Sequence, residues 1–409
     1  MHIALLNDDA LPAARGGAAV VVDTLREGYE RAGHRVTLVT AHRDSALGSI
    51  VRSDGMISLL SDYPPQQRHR RCLGTPAMRA MLSDVFAELR PDAVHCNNIH
   101  EHLTYESLLL ARAHTDRVVL TAHDVFLVAF ARVRGPRFER ASLAGKPYRM
   151  HWWEHPLSVG RKYWPLRNAG IRRILAHSQA KVVAVSNAHR TFLEANGITV
   201  ATAVHNGTTV SSPVSADRVR EFRKRLGLKG PTILFGGRLS EDKGSTAVLE
   251  AFAQVRRSCP QAELLIAGEA ERIADTLNRA DRTGIVCAGW LSQEEMRVAY
   301  TAATVVTTPS LCFEPCSMMN IEAMAEGAPV VASGFGGTPE IVEEGVTGLI
   351  VYPRDTAAYA AALLSLLQSP ERAKHMGARG RERIASEFSA EKQCTKYLAL
   401  MDAGYTEQT

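Results

Sequence analysis

Hydrophobic positions in this chain fall in short runs of four or five, separated by longer stretches where apolar residues recur at helical spacing. Short apolar runs bounded by turn residues read as buried strands, and the amphipathic stretches between them as covering helices. Residues 2–6, 35–40, 93–96, 118–122 and 182–185 are predicted strands, and Gly16-Gly17 opens an amphipathic helix over 18–32 that Gly33 closes. A turn-rich passage, His205-Asn206-Gly207 through Ser211-Ser212-Pro213, interrupts the alternation. Strands are predicted again at 232–235, 263–267, 284–287, 304–307 and 329–332, and a basic helical region, 370–404, follows. Strand–helix alternation of this kind predicts an α/β fold of two Rossmann-like, doubly wound domains facing across a cleft. Their expected bounds are 1–206 and 207–387, with a terminal helix at about 388–405 packing back onto the N-terminal domain. Ligands are expected at the C-terminal ends of the strands.

Composition narrows the class. A chain of 409 residues has room for two or three domains of roughly 100–200 residues each. No stretch approaches the run of about 18 apolar residues needed to cross a bilayer. The apolar run at Ile3–Leu6 is short and has no basic leader, so no signal peptide is expected. The seven cysteines are scattered, with Cys312 and Cys316 the one close pair. A lone C-x3-C is a poor zinc signal, so no metal is expected, and free thiols in a reducing cytoplasm are the expected state. A formal net charge of +5 suits anionic ligands without identifying one.

Candidate chemistry concentrates in the second half. Glu314 and Glu322 are separated by seven residues, within Pro309-Ser310-Leu311-Cys312-Phe313-Glu314-Pro315-Cys316-Ser317-Met318-Met319-Asn320-Ile321-Glu322. Pro315 suits a helix entry, after which Cys316, Ser317 and Met318 would offer unpaired amides to sugar hydroxyls or phosphate. At ~1.5 Å per residue the two carboxylates would span on the order of 12 Å. Upstream, Gly236-Gly237-Arg238 and Lys243-Gly244 place two cations among glycines just past a strand, a pattern that suits a diphosphate clamp. The Gly16-Gly17 loop lacks the G-x-G-x-x-G spacing of a nicotinamide-binding turn, which disfavours a dehydrogenase. His123 ends a predicted strand, a place where a lone histidine is more often structural than functional. His95, His100 and His102 cluster after another strand but lack partners at metal-ligand spacing, so they are expected to line the acceptor side of the cleft.

The segment around Glu314 and Glu322 resembles the E-x7-E signature of glycosyltransferase family four, retaining enzymes of the GT-B fold. Gly336-Gly337-Thr338-Pro339-Glu340 and Thr347-Gly348-Leu349 continue the likeness, which runs over nearly the whole chain. The resemblance implies a nucleotide-sugar donor, a UDP-sugar by expectation, and transfer to a hydroxyl of a saccharide, lipid or small molecule. It implies that Glu322 accepts the ribose diol and Glu314 contacts the donor sugar, and that Cys316, Ser317 and Met318 hold the sugar through their amides. It assigns Arg238 and Lys243 to the diphosphate, the Gly16-Gly17 loop to phosphate or acceptor, and His123 to hydrogen bonding near the reacting hydroxyl. No resident cofactor is implied, the nucleotide-sugar being a co-substrate. Cys316, Ser317 and Asn320 depart from the family's usual phenylalanine, glycine and aliphatic residue, so the sugar pocket is expected to differ in shape. Asn206-Gly207 is followed by Thr208-Thr209 where the family often has an acidic residue, and only a hinge role is assigned there. Two alternatives stay open: another enzyme on this fold, such as a disaccharide phosphorylase or sugar-nucleotide epimerase, and a sugar-nucleotide binding module without turnover.

Between Arg132 and Arg173 the likeness thins, and the composition changes. Eleven lysines and arginines, among them Arg132, Arg134 and Arg137, stand against two acids, with three of the four tryptophans. Prolines and glycines interrupt the stretch, so it reads as a loop excursion of the N-terminal domain that recognises an anionic acceptor. Peripheral contact with a membrane surface is the companion expectation. No nucleic-acid motif accompanies the charge, and no nucleic-acid partner is expected.

Overall fold

The structure, a computed structural model, describes residues 1–11, 16–61 and 63–403. Two compact units divide the chain. The first takes Met1–Arg132, Pro147–Asn206 and the chain from Ala390 onward; the second takes Val133–Lys146 and Gly207–Ser389.

The first unit is built on an eight-stranded sheet. In chain order its strands are β1 (His2–Leu6), β2 (Arg35–His42), β3 (Ile50–Ser53), β4 (Met56–Leu60), β5 (Ala93–Cys96), β6 (Val118–Ala122), β7 (Lys181–Ala184) and β8 (Thr202–Ala203). Across the sheet the order is β3-β4-β2-β1-β5-β6-β7-β8, and every pairing is parallel except the β3–β4 hairpin. Strands β1, β5 and β6 are buried on both faces, as the uninterrupted apolar runs require. The helix Gly17–Arg31 lays Ala19, Val21, Val22, Leu25 and Tyr29 on this core.

The helix Ala390–Asp402 closes the unit. A Cβ at Gly28 would overlap Cys394 Sγ, so the two helices meet so closely there that any larger residue would displace the cysteine side chain. Tyr397 is fully buried and accepts a hydrogen bond from Thr121 Oγ1 at 2.9 Å, and Lys181 Nζ donates to the Leu400 carbonyl at 2.8 Å. Residues 404 and 405, expected as the end of this helix, lie outside the described residues.

The second unit carries a six-stranded, all-parallel sheet in the order β11-β10-β9-β12-β13-β14. Its strands are β9 (Thr232–Gly236), β10 (Glu263–Ala267), β11 (Ile285–Gly289), β12 (Val305–Thr308), β13 (Val330–Ser333) and β14 (Gly348–Val351). Ile233, Phe235, Phe252, Leu264, Ile266, Tyr359 and Leu363 share one hydrophobic core. Strand order reverses between β9 and β12, which pair Ile233 with Val305 and Phe235 with Thr307. Chain connections leave in opposite directions at such a reversal and open a crevice past the strand ends, where doubly wound sheets bind their ligands. The loops 237–244 and 309–317 emerge there.

Candidate active site

Loop 237–244 is shaped by its glycines. Gly237 and Gly244 have φ of 93° and 82°, and a Cβ at Gly244 would collide with the Pro309 carbonyl, which ties this loop to the next one. Arg238 is exposed and has no ion-pair partner among the described residues. Lys243 is half-buried and ion-paired with Glu314. Ser310 Oγ donates a second hydrogen bond to the same carboxylate oxygen at 3.3 Å.

Glu314 is held from its backbone as well. It bridges Gly336 in parallel register, and its carbonyl accepts the Gly337 N–H at 2.8 Å. Gly336 has φ of 77°, and a Cβ there would strike the Glu314 backbone, so the glycine permits the close approach. The helix begins later than Pro315 predicts. It spans Met318–Ala325, with Ser317 as N-cap accepting the Asn320 N–H. A cap residue with a short hydroxyl wins the helix start over proline here because its side chain satisfies the third amide. The amides of Met318 and Met319 have no acceptor among the described residues. Cys316, Ser317 and Met318 are themselves buried.

Glu322 lies inside this helix and is half-buried. Tyr300 Oη donates to its Oε2 at 2.9 Å, and Oε1 has no partner among the described residues. Burial pushes the carboxyl up to about 7, against the smaller opposing effect of the tyrosine hydrogen bond. Nothing in the sequence pointed to Tyr300, which reaches Glu322 from a neighbouring helix, Gln293–Ala302.

In the first unit His123 sits just past β6. Its Nε2 meets Asn97 Oδ1 at 2.9 Å, and Asn97 Nδ2 donates to the Leu6 carbonyl at 3.4 Å, which fixes the amide orientation. The carbonyl oxygen of Asn97 can only accept, so Nε2 carries the proton. Burial pushes the imidazole down to about 4, so the ring is neutral and Nδ1 keeps a lone pair. Nδ1 is buried and has no partner among the described residues. Gly16, extended at φ −176°, is the N-cap of the helix that Gly17 opens and offers no capping side chain of its own. Asp8, unflagged by sequence, accepts the amides of Glu101, His102 and Leu103 at 2.7, 2.9 and 2.7 Å and so anchors the loop after β5.

Family models match both halves of the chain: Glycosyltransferase Family 4 over residues 15–211 and Glycosyl transferases group 1 over residues 230–369. The chain belongs to glycosyltransferase family four. Alpha-maltose-1-phosphate synthase of Mycolicibacterium smegmatis is 37% identical over 209 residues, which are 46% of this chain and 52% of that protein. The match thus spans about half the length of that curated relative. Among solved structures, sucrose-phosphate synthase from Thermosynechococcus elongatus superposes with a TM-score of 0.73 at 23% identity, covering 98% of each chain. Anabaena HepE in complex with UDP-glucose gives 0.70 at 18% identity, covering 98% of this chain and 100% of that one. At these identities the likeness establishes the fold, GT-B.

Several residues of this family member stand elsewhere than expected. His95 does not line a ligand site: it is fully buried, with Nδ1 on Tyr29 Oη at 3.0 Å and Nε2 on Thr121 Oγ1 at 2.8 Å. It lies within β5, whose two covered faces leave an inward side chain no route to solvent. His100 is buried too, stacked on Phe126 at 4.4 Å, with Asp124 3.5 Å from its Nε2. His102 is buried between Ser61 Oγ and Arg43.

The stretch from Arg132 to Arg173 is not one loop of the N-terminal unit. Arg132 ends a segment of the first unit, whereas Arg134 and Arg137 belong to the second, and the chain returns at Pro147. Burial of apolar side chains explains the division, since Phe138 has no exposed surface and packs edge-on against Phe313 and Phe335. Arg167, counted among the cations, is fully buried over the rings of Phe126 and Phe130. Trp152 and Trp153, by contrast, are exposed. No helix among the described residues is long and apolar enough to cross a membrane.

Proposed function

We propose that this enzyme transfers a hexose from a UDP-sugar to a hydroxyl of its acceptor with retention of anomeric configuration. The observation that carries the reading is the grouping of Arg238, Lys243, Glu314, Glu322 and an open helix N-terminus where the strand order of the second unit reverses. Glu322 accepts the ribose diol through its unpartnered Oε1. Arg238 and Lys243 take the diphosphate, Lys243 leaving Glu314 as the phosphate arrives, and the freed Glu314 accepts hydroxyls of the donor sugar. The bond between the anomeric carbon and the phosphate oxygen breaks as the two cations stabilise the growing charge. The acceptor oxygen then bonds to the same face, and its proton passes to the departing phosphate oxygen, so no covalent sugar–enzyme intermediate forms. Protein cations supply the charge that a metal would otherwise provide. His123, neutral with a free Nδ1 lone pair, is assigned to the acceptor side as a hydrogen-bond acceptor for the reacting hydroxyl. The bound UDP-glucose of Anabaena HepE supports the choice of nucleotide.

The acceptor surface is assigned to residues 147–173. Trp152, Leu157 and Leu166 expose 78%, 76% and 63% of their surface. Arg149, Arg161, Lys162, Arg172 and Arg173 are exposed around them in sequence. Glu154, the acid of this stretch, is turned inward onto Tyr148 Oη and the His151 N–H. Exposed tryptophan and leucine beside unopposed cations fit an anionic, lipid-bearing surface better than a free polar saccharide.

The test is saturable binding by a panel of UDP-, GDP- and ADP-hexoses, followed by product analysis with the donor that binds. A UDP-hexose is expected. Exclusive binding of another base would correct the nucleotide, and binding of none would overturn the reading.

A further inference from the structure

The segment Val133–Lys146 belongs to the second unit although 60 residues separate it from the rest of that unit in the chain. Its contacts fall on the loops that carry the candidate donor residues. The Val133 carbonyl accepts the Phe313 N–H at 2.8 Å, and Arg134 bridges Cys312 in antiparallel register. The Arg134 guanidinium is ion-paired with Asp242, the neighbour of Lys243. Gly135 (φ 103°) turns the chain into the helix Pro136–Leu143, with Pro136 in its first turn.

That helix drives one side chain into the unit. Phe138 lies edge-on to Phe313, with centroids 6.1 Å apart, and to Phe335 at 5.3 Å. Phe313 precedes Glu314, and Phe335 precedes the Gly336 that bridges Glu314. One turn's neighbour, Glu139, locks the helix down: Arg354 donates to its two oxygens at 2.8 and 2.9 Å, and Tyr352 Oη donates at 2.8 Å. Those donors hold the Glu139 carboxyl below its ordinary range.

We infer that Val133–Lys146 is a strap that sets the position of Glu314, with Phe138 as a positioning residue for the donor-sugar end of the site. The inference rests on the reading of Glu314 as the donor-sugar contact. Phe138 acts by fixing the two backbone segments, 313–314 and 335–337, between which Glu314 is hung. Glu322 takes its hydrogen bond from Tyr300, a residue off the strap, so the ribose end is set independently. Loss of Phe138 therefore separates recognition of the sugar from recognition of the nucleotide.

Two measurements on the full chain test this. Amide hydrogen exchange over 311–316 should accelerate at least tenfold in Phe138→Ala, with β9 amides unchanged. Affinity for UDP-glucose should fall about tenfold while affinity for UDP stays within twofold. Phe138→Leu keeps apolar volume but loses the edge-to-face contacts, and should shift the UDP-glucose to UDP ratio about threefold even if the alanine protein does not fold. Uniform acceleration of exchange, exchange unchanged at 311–316, or equal weakening of both ligands would overturn the inference. Failure of the wild-type chain to bind any nucleotide sugar would overturn the donor reading instead, and exchange at 311–316 would then decide the strap alone.

Discussion

Tyr300 donates its hydroxyl proton to Glu322 across 2.9 Å, leaving one oxygen of a carboxyl that burial has raised to about 7. Ribose hydroxyls donate to a carboxylate more strongly than to a carboxylic acid. Donor affinity should therefore rise with pH through about 7, and Glu322→Gln should flatten the profile. Tyr300→Phe removes the interaction that opposes the shift, so the midpoint should move upward. In the ligand-free protein the folded state holds this proton more tightly than the unfolded chain does. The stability tied to it is thus present below the ordinary value of 4.5 and lost as pH rises to about 7. Titration calorimetry from pH 5.5 to about 8.5 checks the binding limb, and a pH-independent donor affinity would remove Glu322 from the ribose.

Lys243→Ala should lower turnover by roughly 10²–10³, the scale of one preorganised charge contact. Its partially exposed pairing with Glu314 makes the stability cost about 1 kcal/mol or less. Steady-state kinetics beside thermal unfolding separates the two effects; a folded variant with full activity would exclude Lys243 from the clamp.

Glu314→Ala should depress kcat more than it raises KM, because the sugar assigned to it in the proposed mechanism changes charge in the transition state. Glu322→Ala should do the reverse. Kinetics showing the opposite pattern would exchange the two assignments.

Anomeric configuration should be retained in the product, read by NMR coupling constants, and activity should survive EDTA. Inversion would refute the proposed mechanism, and a loss restored by manganese or magnesium would refute its independence from metal.

Trp152→Ala with Leu157→Ala should abolish co-sedimentation with vesicles containing phosphatidylglycerol and leave UDP-glucose affinity unchanged. Binding by the wild type should weaken as salt rises through about 0.15 M, where the screening length is about 8 Å. Equal sedimentation of wild type and variant would leave residues 147–173 as a solvated basic surface.

Much of this arrangement is legible in the chain. Parallel strands buried on both faces write themselves as unbroken apolar runs, so β1, β5, β6, β9 and β10 follow from pattern alone. The β3–β4 hairpin escaped notice although Asp54-Gly55 marks it, Gly55 taking φ of 67° between paired Ser53 and Met56. The run before the turn, Ile50-Val51, is only two residues long and is followed by Arg52-Ser53, which hid the first strand of the pair. Glu314, Lys243 and Arg238 are visible because glycines and a proline frame them. Tyr300, Asn97 and Phe138 are not, because each acts through a contact whose partner is distant in sequence: 22 residues for Tyr300, 26 for Asn97 and far more for Phe138. His95 misled although it falls inside the predicted strand 93–96, because the covering of both faces of that strand emerges only when the sheet is assembled.

The chain passes between its two units at Arg132, Lys146, Asn206 and Ser389. A gene cut once, in the turn-rich passage near Asn206, would therefore not yield two independent modules. The amino-terminal product would keep Phe138 and Glu139 with no Phe335 or Arg354 to receive them, and the carboxy-terminal product would carry away the helix that holds Tyr397. Chimeras that trade donor preference between relatives would have to transplant 133–146 along with 207–389, and leave the last helix behind. Such a chain assembles its second unit from two separated stretches of gene, and recombination that respects only the linear order would break it.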